Sequence, residues 1–529
     1  MSLKHTACPL DCYDACRIEY KDEKCKPSKN GITNGKLCKL FAYLQNEETL
    51  SSSNIPKILE DVVLKFKEKN KKVLYYKGSG NMGVMQHIPK KFFESIKATF
   101  AMGSICESSG EAGIEMGRVH SINPPTQNAI NSDVVIVWGR NFKDTSRHIY
   151  ELVKDKPMIV IDPLETSIAK EAEVFFQIPP KGDYQLSLVL MDALKGKKVE
   201  LKRLEELNIN QEQIDKTINL LRNKKVAVML GLGAQKYFEG ATIIHEMEKF
   251  FDALGVFKEN NGGVWYLGNS THPFNNKLET TPTNTTSYPN VDFGAFDIIF
   301  IHGANPAISA PNTKKVIEGL KKTFVIYMGT TQNETSVYAD IIIPAKTFLQ
   351  KKDVRLSYAH DEVMPCEVCE ENDTAVSEYE LTSYLMDAFN FEKLLNEDEY
   401  LDCFKEKVNE RLKIKFTIKE TKNVDLLSMK EDEYYLLASK SKNTINSQFK
   451  YDEYAYVHPS LNLKDEQKII LSSNIGSIEI RVKNDNSLYP KAILIYAGNK
   501  DANYLTPDVV SEYGDNACFQ EIKLTYKIA

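Results

Sequence analysis

Several familiar landmarks are missing from this chain, and each absence narrows what it can be. No stretch approaches the roughly 18 uninterrupted apolar residues of a membrane-spanning helix, so direct membrane insertion is not expected. The opening residues, Met-Ser-Leu-Lys-His-Thr, carry neither an apolar core nor a twin arginine. That argues against a secretory or transport leader and for a cytoplasmic location. Positive charge is not in excess. The formal net charge is −6, which gives no reason to expect nucleic acid as a partner. A Walker loop and a complete Gly-x-Gly-x-x-Gly are both absent, so ordinary nucleotide fingerprints do not apply. His245-Glu246 opens a His-Glu-x-x-His motif, but residue 249 is lysine, which excludes a metalloprotease on that motif. Cysteine is scarce as well: 10 in 529 residues is not a disulfide scaffold.

The cysteines that are present are concentrated. Cys8, Cys12, Cys16, Cys25 and Cys38 all fall within the first 38 residues. The run reads Cys8-Pro-Leu-Asp-Cys12-Tyr-Asp-Ala-Cys16 and returns at Gly35-Lys36-Leu37-Cys38-Lys39. Thiolates select soft metals, so iron–sulfur and zinc are the candidates. Structural zinc sites bring ligands in pairs two to four apart, often with histidine. Three cysteines in one tight run, with a fourth far away, favour a [4Fe–4S] cluster in a reducing compartment. Cys25 reads as a bystander, although spacing leaves it open as a ligand.

From about residue 55 the pattern is that of an α/β protein. Short apolar runs end in glycine or acidic turns: Val73-Leu-Tyr-Tyr76, Val134-Val-Ile-Val-Trp138, Met158-Ile-Val-Ile161, Val226-Ala-Val-Met-Leu230, Ile298-Ile-Phe-Ile301 and Phe324-Val-Ile-Tyr327. Helical stretches such as 86–98 lie between them, which means βαβ units and parallel sheets buried on both faces. Residues 365–430 are charged and read as mostly helical. Beyond 432, alternating runs such as Gly476-Ser-Ile-Glu-Ile-Arg-Val482 lack intervening helices and predict a β-rich domain, a barrel. The expected architecture is α/β and multidomain. A small N-terminal iron–sulfur domain spans 1–52, and an α/β domain is built from 53–132 and 271–430. A second α/β domain spans 133–270, interleaved with the first, and both are doubly wound. The C-terminal β-barrel spans 431–529.

Cys106 lies in Gly103-Ser-Ile-Cys106-Glu-Ser-Ser-Gly-Glu-Ala-Gly113. A lone cysteine is more often a small core residue than a ligand, but this loop composition would leave a thiolate accessible. Ligands in open α/β sheets bind beyond the carboxyl ends of strands, so Gly139, Asn141, Asp162, Gly303, Asn305 and Asp340 are candidate binding positions. Each alone is weak, because many such turns carry Gly and Asn for conformational reasons. Cys366-Glu-Val-Cys369 is a lone Cys-x-x-Cys with no supporting context.

Together these pieces resemble the molybdopterin oxidoreductase family, which includes formate dehydrogenases, nitrate reductases and dimethyl sulfoxide reductase. The Cys-Pro-Leu-Asp-Cys opening resembles the iron–sulfur domain of a poorly characterised branch. Asp133 to Asn141, Ile161-Asp162-Pro163 and Pro180-Lys-Gly-Asp183 look like its first set of guanine-nucleotide loops. Gly303-Ala-Asn305-Pro306 and Glu334-Thr335 through Asp340 to Pro344 look like the second. Asn446-Ser447-Gln448-Phe449 and Asn503-Tyr-Leu-Thr506 resemble the pterin-binding barrel. The resemblance implies a [4Fe–4S] cluster on Cys8, Cys12, Cys16 and Cys38, and two molybdopterin guanine dinucleotides sharing one molybdenum or tungsten. It also implies Cys106 as the protein ligand to that metal. Lys39 would be the electron-transfer residue between cluster and pterin. A small-molecule substrate and an electron-transfer partner protein are implied with them.

Some positions depart from the family pattern. Leu164 follows Asp162-Pro163 where arginine is usual, and Lys181-Gly182 replaces Gly-Thr. Glu107 follows Cys106 where formate dehydrogenases have histidine. Leu267 falls about where those enzymes place an arginine that grips a carboxylate. These last two departures argue against formate as substrate. The rival reading is a non-catalytic iron–sulfur electron-transfer subunit that keeps the family fold, as in respiratory complex I.

Overall fold

The computed structural model describes residues 2–118, 120–258, 261–266, 274, 276–405 and 416–529. Leu267 and the expected domain boundary at 270/271 lie outside the described residues.

The N-terminal segment folds as a three-stranded antiparallel sheet, Lys4–Ala7, Arg17–Lys21 and Lys24–Pro27. Asp22 and Glu23 join the last two strands, both with positive φ (52° and 59°). This is the backbone of a tight two-residue hairpin whose twist matches its strands. The loop holding Cys12 bulges from the sheet and is closed by the Cys8 N–H donating to the Cys16 carbonyl at 2.9 Å.

Two parallel sheets follow, one inserted into the other. The first contains, in spatial order, Asn284–Ser287, Thr99–Met102, Val73–Lys77, Ile298–His302, Phe324–Gly329 and Ile341–Pro344. Numbered in chain order within the sheet, that is 3-2-1-4-5-6. The second sheet lies in sequence between Met102 and Asn284. Its order is Gly262–Tyr266, Val226–Leu230, Val134–Trp138, Met158–Ile161 and Val174–Phe176, or 5-4-1-2-3. Both are doubly wound, and each has a topological switch point between its first and fourth strands. Val134–Trp138 and Val226–Leu230 are buried at every residue, with packed side chains on both faces. That explains why they read as continuous apolar runs rather than alternating ones.

The C-terminal domain is a closed barrel in the order Tyr434–Ser439, Ala492–Tyr496, Tyr454–Val457, Ser477–Asn484, Lys468–Ser472 and Lys523–Ile528. Along Ser477–Asn484, Ile478, Ile480 and Val482 point inward and their neighbours outward. The expected fold class therefore holds.

Local expectations were less accurate. The helical stretch 86–98 is divided into a short 3-10 turn, Val84–His87, and a helix, Pro89–Ser95. Pro89 starts the second because it has no N–H to continue the first. The described residues of 365–430 are not mostly helical. Helices occupy Glu378–Ala388 and Glu397–Asp402, whereas 417–430 run without helix or strand. That last segment is held instead by Val424 and Leu427 packing on the second sheet's core.

Candidate active site

Each switch point opens into a cavity. The first, of about 760 Å³, lies beyond the strands Val73–Lys77 and Ile298–His302. The second, of about 720 Å³, lies beyond Val134–Trp138 and Val226–Leu230. Glycines shape both. Gly303 (φ +55°) turns the chain after its strand, and a Cβ on Gly78 or Gly80 would collide with its carbonyl oxygen. Gly139 (φ +61°) does the same in the second sheet, with Gly231 packed against its carbonyl oxygen. Both turns need a left-handed residue and close backbone approach, which only glycine supplies without strain.

The sequence candidates divide between the two cavities. Gly303, Asn305, Asn446, Ser447, Asn503 and Cys106 line the first. Gly139, Asn141, Asp162, Asp183, Lys39, Cys8, Cys12, Cys16 and Cys38 line the second. Asp340 lines neither: its carboxylate accepts from the Val325 N–H at 2.8 Å and ties two strands together. Asn305 Nδ2 donates to Glu334 Oε2 (2.8 Å) and to Ser447 Oγ (3.2 Å), joining the first sheet to the barrel. Asn503 Nδ2 donates to the Ile308 carbonyl at 2.5 Å. Asn141 Nδ2 bonds Asp144 Oδ2 at 2.9 Å.

The Cys106 loop is pinned on several sides. The Cys106 N–H donates to Ser104 Oγ at 2.7 Å. Gln235 donates to the Cys106 carbonyl and accepts from the Gly110 N–H. The Tyr266 hydroxyl donates to the Glu107 carbonyl at 3.0 Å. Burial, with help from Glu107, pushes the Cys106 thiol up to about 12. Burial and then Asp11 raise the neighbouring Glu107 carboxyl to about 7. Lys77, at the end of its strand, is lowered to about 7 by burial and then by Lys90.

Cys8 is raised to about 12, and Cys12 and Cys16 are also raised, burial first in each case; each of the three feels the others or Cys38. Cys25 instead feels Cys369 and Glu370. Among the described residues, no three His, Cys, Asp or Glu side chains converge closely enough to hold a single metal ion.

In the second cavity, burial raises Asp162 to about 7 and Asp183 to about 6. Trp138 Nε1 donates to Asp183 Oδ1 at 2.7 Å. Arg140 is 6% exposed, stacks its guanidinium 3.8 Å from the Tyr13 ring centroid, and among the described residues leaves Nη1 and Nη2 without a hydrogen-bond acceptor. Leu164 packs toward the barrel and bridges Leu488. The Lys181 ammonium pairs with Glu239 (2.8 Å) and Glu521 (3.1 Å).

The family model for molybdopterin oxidoreductase matches residues 55–361. The chain belongs to the molybdopterin oxidoreductase family. It is 24% identical over 567 residues to a probable oxidoreductase, YyaE, of Bacillus subtilis (strain 168), covering 92% of this chain and 82% of that protein. It is 21% identical to one chain of a tungsten-containing formylmethanofuran dehydrogenase of Methanococcus maripaludis, over 40% of this chain and 55% of that one. Among solved structures, acetylene hydratase from Pelobacter acetylenicus has the same fold. Its TM-score is 0.77 at 13% identity, and the match covers 99% of this chain and 100% of that chain.

A member of this family works with a pterin cofactor carrying molybdenum or tungsten, and the residues of this oxidoreductase fit that group. Two glycine-lined cavities suit a ligand whose phosphates approach the backbone closely. The orphaned guanidinium nitrogens of Arg140 suit an anion. The Cys106 thiol on the first cavity has the donor chemistry that soft metals select once its proton is lost.

Sequence reasoning missed several lining residues of the oxidoreductase: Lys77, Gly78, Lys236, Tyr288 and Lys440. Gly78 had a signal, since it follows a strand as Gly139 does. The lysines had none, because burial alone distinguishes them from the many lysines at the surface.

Proposed function

We propose that this chain performs two-electron redox chemistry on a small substrate at a molybdenum or tungsten centre held by two pterin guanine dinucleotides and Cys106. One observation carries this reading. The two switch-point cavities, of similar volume, share a wall at Asp11, Leu232, Lys236, Ala438 and Lys440, beside the Cys106 loop. One dinucleotide per cavity would bring both pterin ends to that wall. Gly139, Asn141, Asp162 and Asp183 would take one guanine nucleotide. Gly303, Asn305, Asn446, Ser447 and Asn503 would take the other.

When bound, such a cofactor supplies oxygen-atom, sulfur or hydride transfer with two-electron redox. The chain's own part is to position, exclude water and hold protons. Cys106 would hold the metal from a loop fixed by Ser104, Gln235 and Tyr266. The Glu107 carboxyl, titrating near neutrality, can hold or release a proton at its Oε atoms beside that loop. Cys8, Cys12, Cys16 and Cys38 would hold a [4Fe–4S] cluster against the second cavity, with Lys39 on the same wall. Electrons would pass there to or from a partner protein. A thiolate-held cluster goes with a reducing, cytoplasmic setting. The domain limits 1–52, 53–132 with 271–430, 133–270 and 431–529 belong to the same proposal.

Metal and pterin analysis of anaerobically purified protein tests this. Four irons, one molybdenum or tungsten and two pterin nucleotides per chain are expected. Four irons without a second metal or pterin, from cells able to make the cofactor, would overturn the reading in favour of an electron-transfer subunit. In Cys106→Ser, iron and pterin should remain. Turnover should fall by more than the roughly 10–100-fold that losing a supporting outer-shell residue costs.

A further inference from the structure

The wall between the cavities carries three charged residues, Asp11, Lys236 and Lys440. Two of them are engaged within the protein. Asp11 Oδ2 accepts from Asn446 Nδ2 at 3.0 Å. Lys236 Nζ donates to the Ala438 carbonyl at 2.6 Å. Lys440 is different. It is the first residue beyond the barrel strand Tyr434–Ser439. Among the described residues, its ammonium makes no hydrogen bond or ion pair. Lys440 is half-buried, so its unpaired ammonium is available to an anion in either cavity.

Lys440 lines both cavities. Burial works against its positive charge, and the Asp11 carboxylate on the same wall is the first neighbour that favours it. Cys12 lies on the second cavity and Cys106 on the first. Lys39, in contrast, lines the second cavity alone, and its Nζ is tied to Asn443 Oδ1 at 2.5 Å.

We propose that Lys440 is a charge bridge, a positioning residue that meets the anionic cofactor where the two cavities join and acts electrostatically on both the Cys12 side and the Cys106 side. The inference rests on the redox reading above and adds a residue and a role to it. An electron passing between the two centres oxidises one and reduces the other. Lys440 takes no electron and keeps its proton throughout. Its fixed positive charge favours the reduced form of each centre and so raises both midpoint potentials together.

The test is an anaerobic, EPR-monitored redox titration of the holoenzyme, with iron, molybdenum or tungsten, and pterin measured on the same samples. In Lys440→Met and Lys440→Gln, both the cluster and the metal potentials should move negative. Lys440→Arg should restore them. Lys39→Met should move the cluster alone. If the neutral variants lose pterin while Lys440→Arg keeps it, the cofactor-meeting part of the proposal is supported. Neutral variants with wild-type cofactor content and unchanged potentials, or with one centre shifted and not the other, would overturn it. Failure of the redox reading itself would look different, because the wild-type protein would then lack the second metal and pterin.

Discussion

Gly231 packs against the carbonyl oxygen of Gly139 so closely that a Cβ on it would collide with that atom. The contact closes the switch point of the second sheet. Gly231→Ala should therefore cost about 1–3 kcal/mol as overpacking and reduce pterin content. Gly233→Ala is the control. Its Cβ would sit 3.9 Å from the same oxygen, an ordinary contact. Thermal melts and pterin assays on both variants check this. Equal losses in the two would contradict it.

The Asp162 and Asp183 carboxyls make a pH prediction. Burial raises them to about 7 and about 6. An acid with a raised folded-state pKa stabilises the fold below its unfolded value, and that stability is lost as pH rises through the folded value. Protein without cofactor should thus lose stability between about pH 4 and pH 7. Both side chains keep some contact with solvent, so the effect is on the order of 1 kcal/mol each. Asp162→Asn and Asp183→Asn should flatten the profile of melting temperature against pH.

Glu378 carries the opposite sign. Its carboxylate pairs with Lys351 at 2.8 Å and lies 3.6 Å from His302 Nε2, all three deeply buried. Burial opposes its charge, but Lys351 and His302 outweigh burial and hold its pKa at about 2. This contribution is present above the ordinary carboxylate range and is lost as pH falls toward 2. Lys351→Met would leave Glu378 and Asp353 buried without their cation. We expect a loss of about 3–5 kcal/mol in denaturant unfolding. A loss under 1 kcal/mol would show that the pair is effectively solvated.

Lys181 has φ +69°, a left-handed backbone where the family usually has glycine. Its ion pairs with Glu239 and Glu521 offset that strain. Lys181→Ala keeps the strain and loses the pairs, whereas Lys181→Gly loses the pairs and relieves the strain. The glycine variant should be the more stable of the two by about 1 kcal/mol. Parallel unfolding curves would decide it.

The fold class was legible because it is written in local patterns. Short apolar runs such as Val134–Trp138, β-branched and bounded by turns, read as strands covered on both faces, and in open α/β sheets ligands bind beyond such strand ends. The clustered N-terminal cysteines and the Cys106 loop stood out in the sequence, and the structure sets them on the second and first cavities. Edge strands such as Asn284–Ser287, with no buried residue, gave no apolar signal. The extended course of 417–430 was hidden because Val424 and Leu427 meet a core built from distant residues.

What the sequence determined by itself was the set of parts: a cysteine-rich opening, two doubly wound sheets, a barrel, and the loops that follow strands. These follow from side-chain periodicity and backbone preferences, which act over a few residues. Only the tertiary structure decided which parts meet. It divided the candidate residues between two cavities and left Asp340 outside both as a tie between strands. It turned Lys181 away to two glutamates and brought Lys440 from the barrel to the wall between Cys12 and Cys106. Those outcomes depend on burial and on charges hundreds of residues apart in the chain, and no local pattern encodes them.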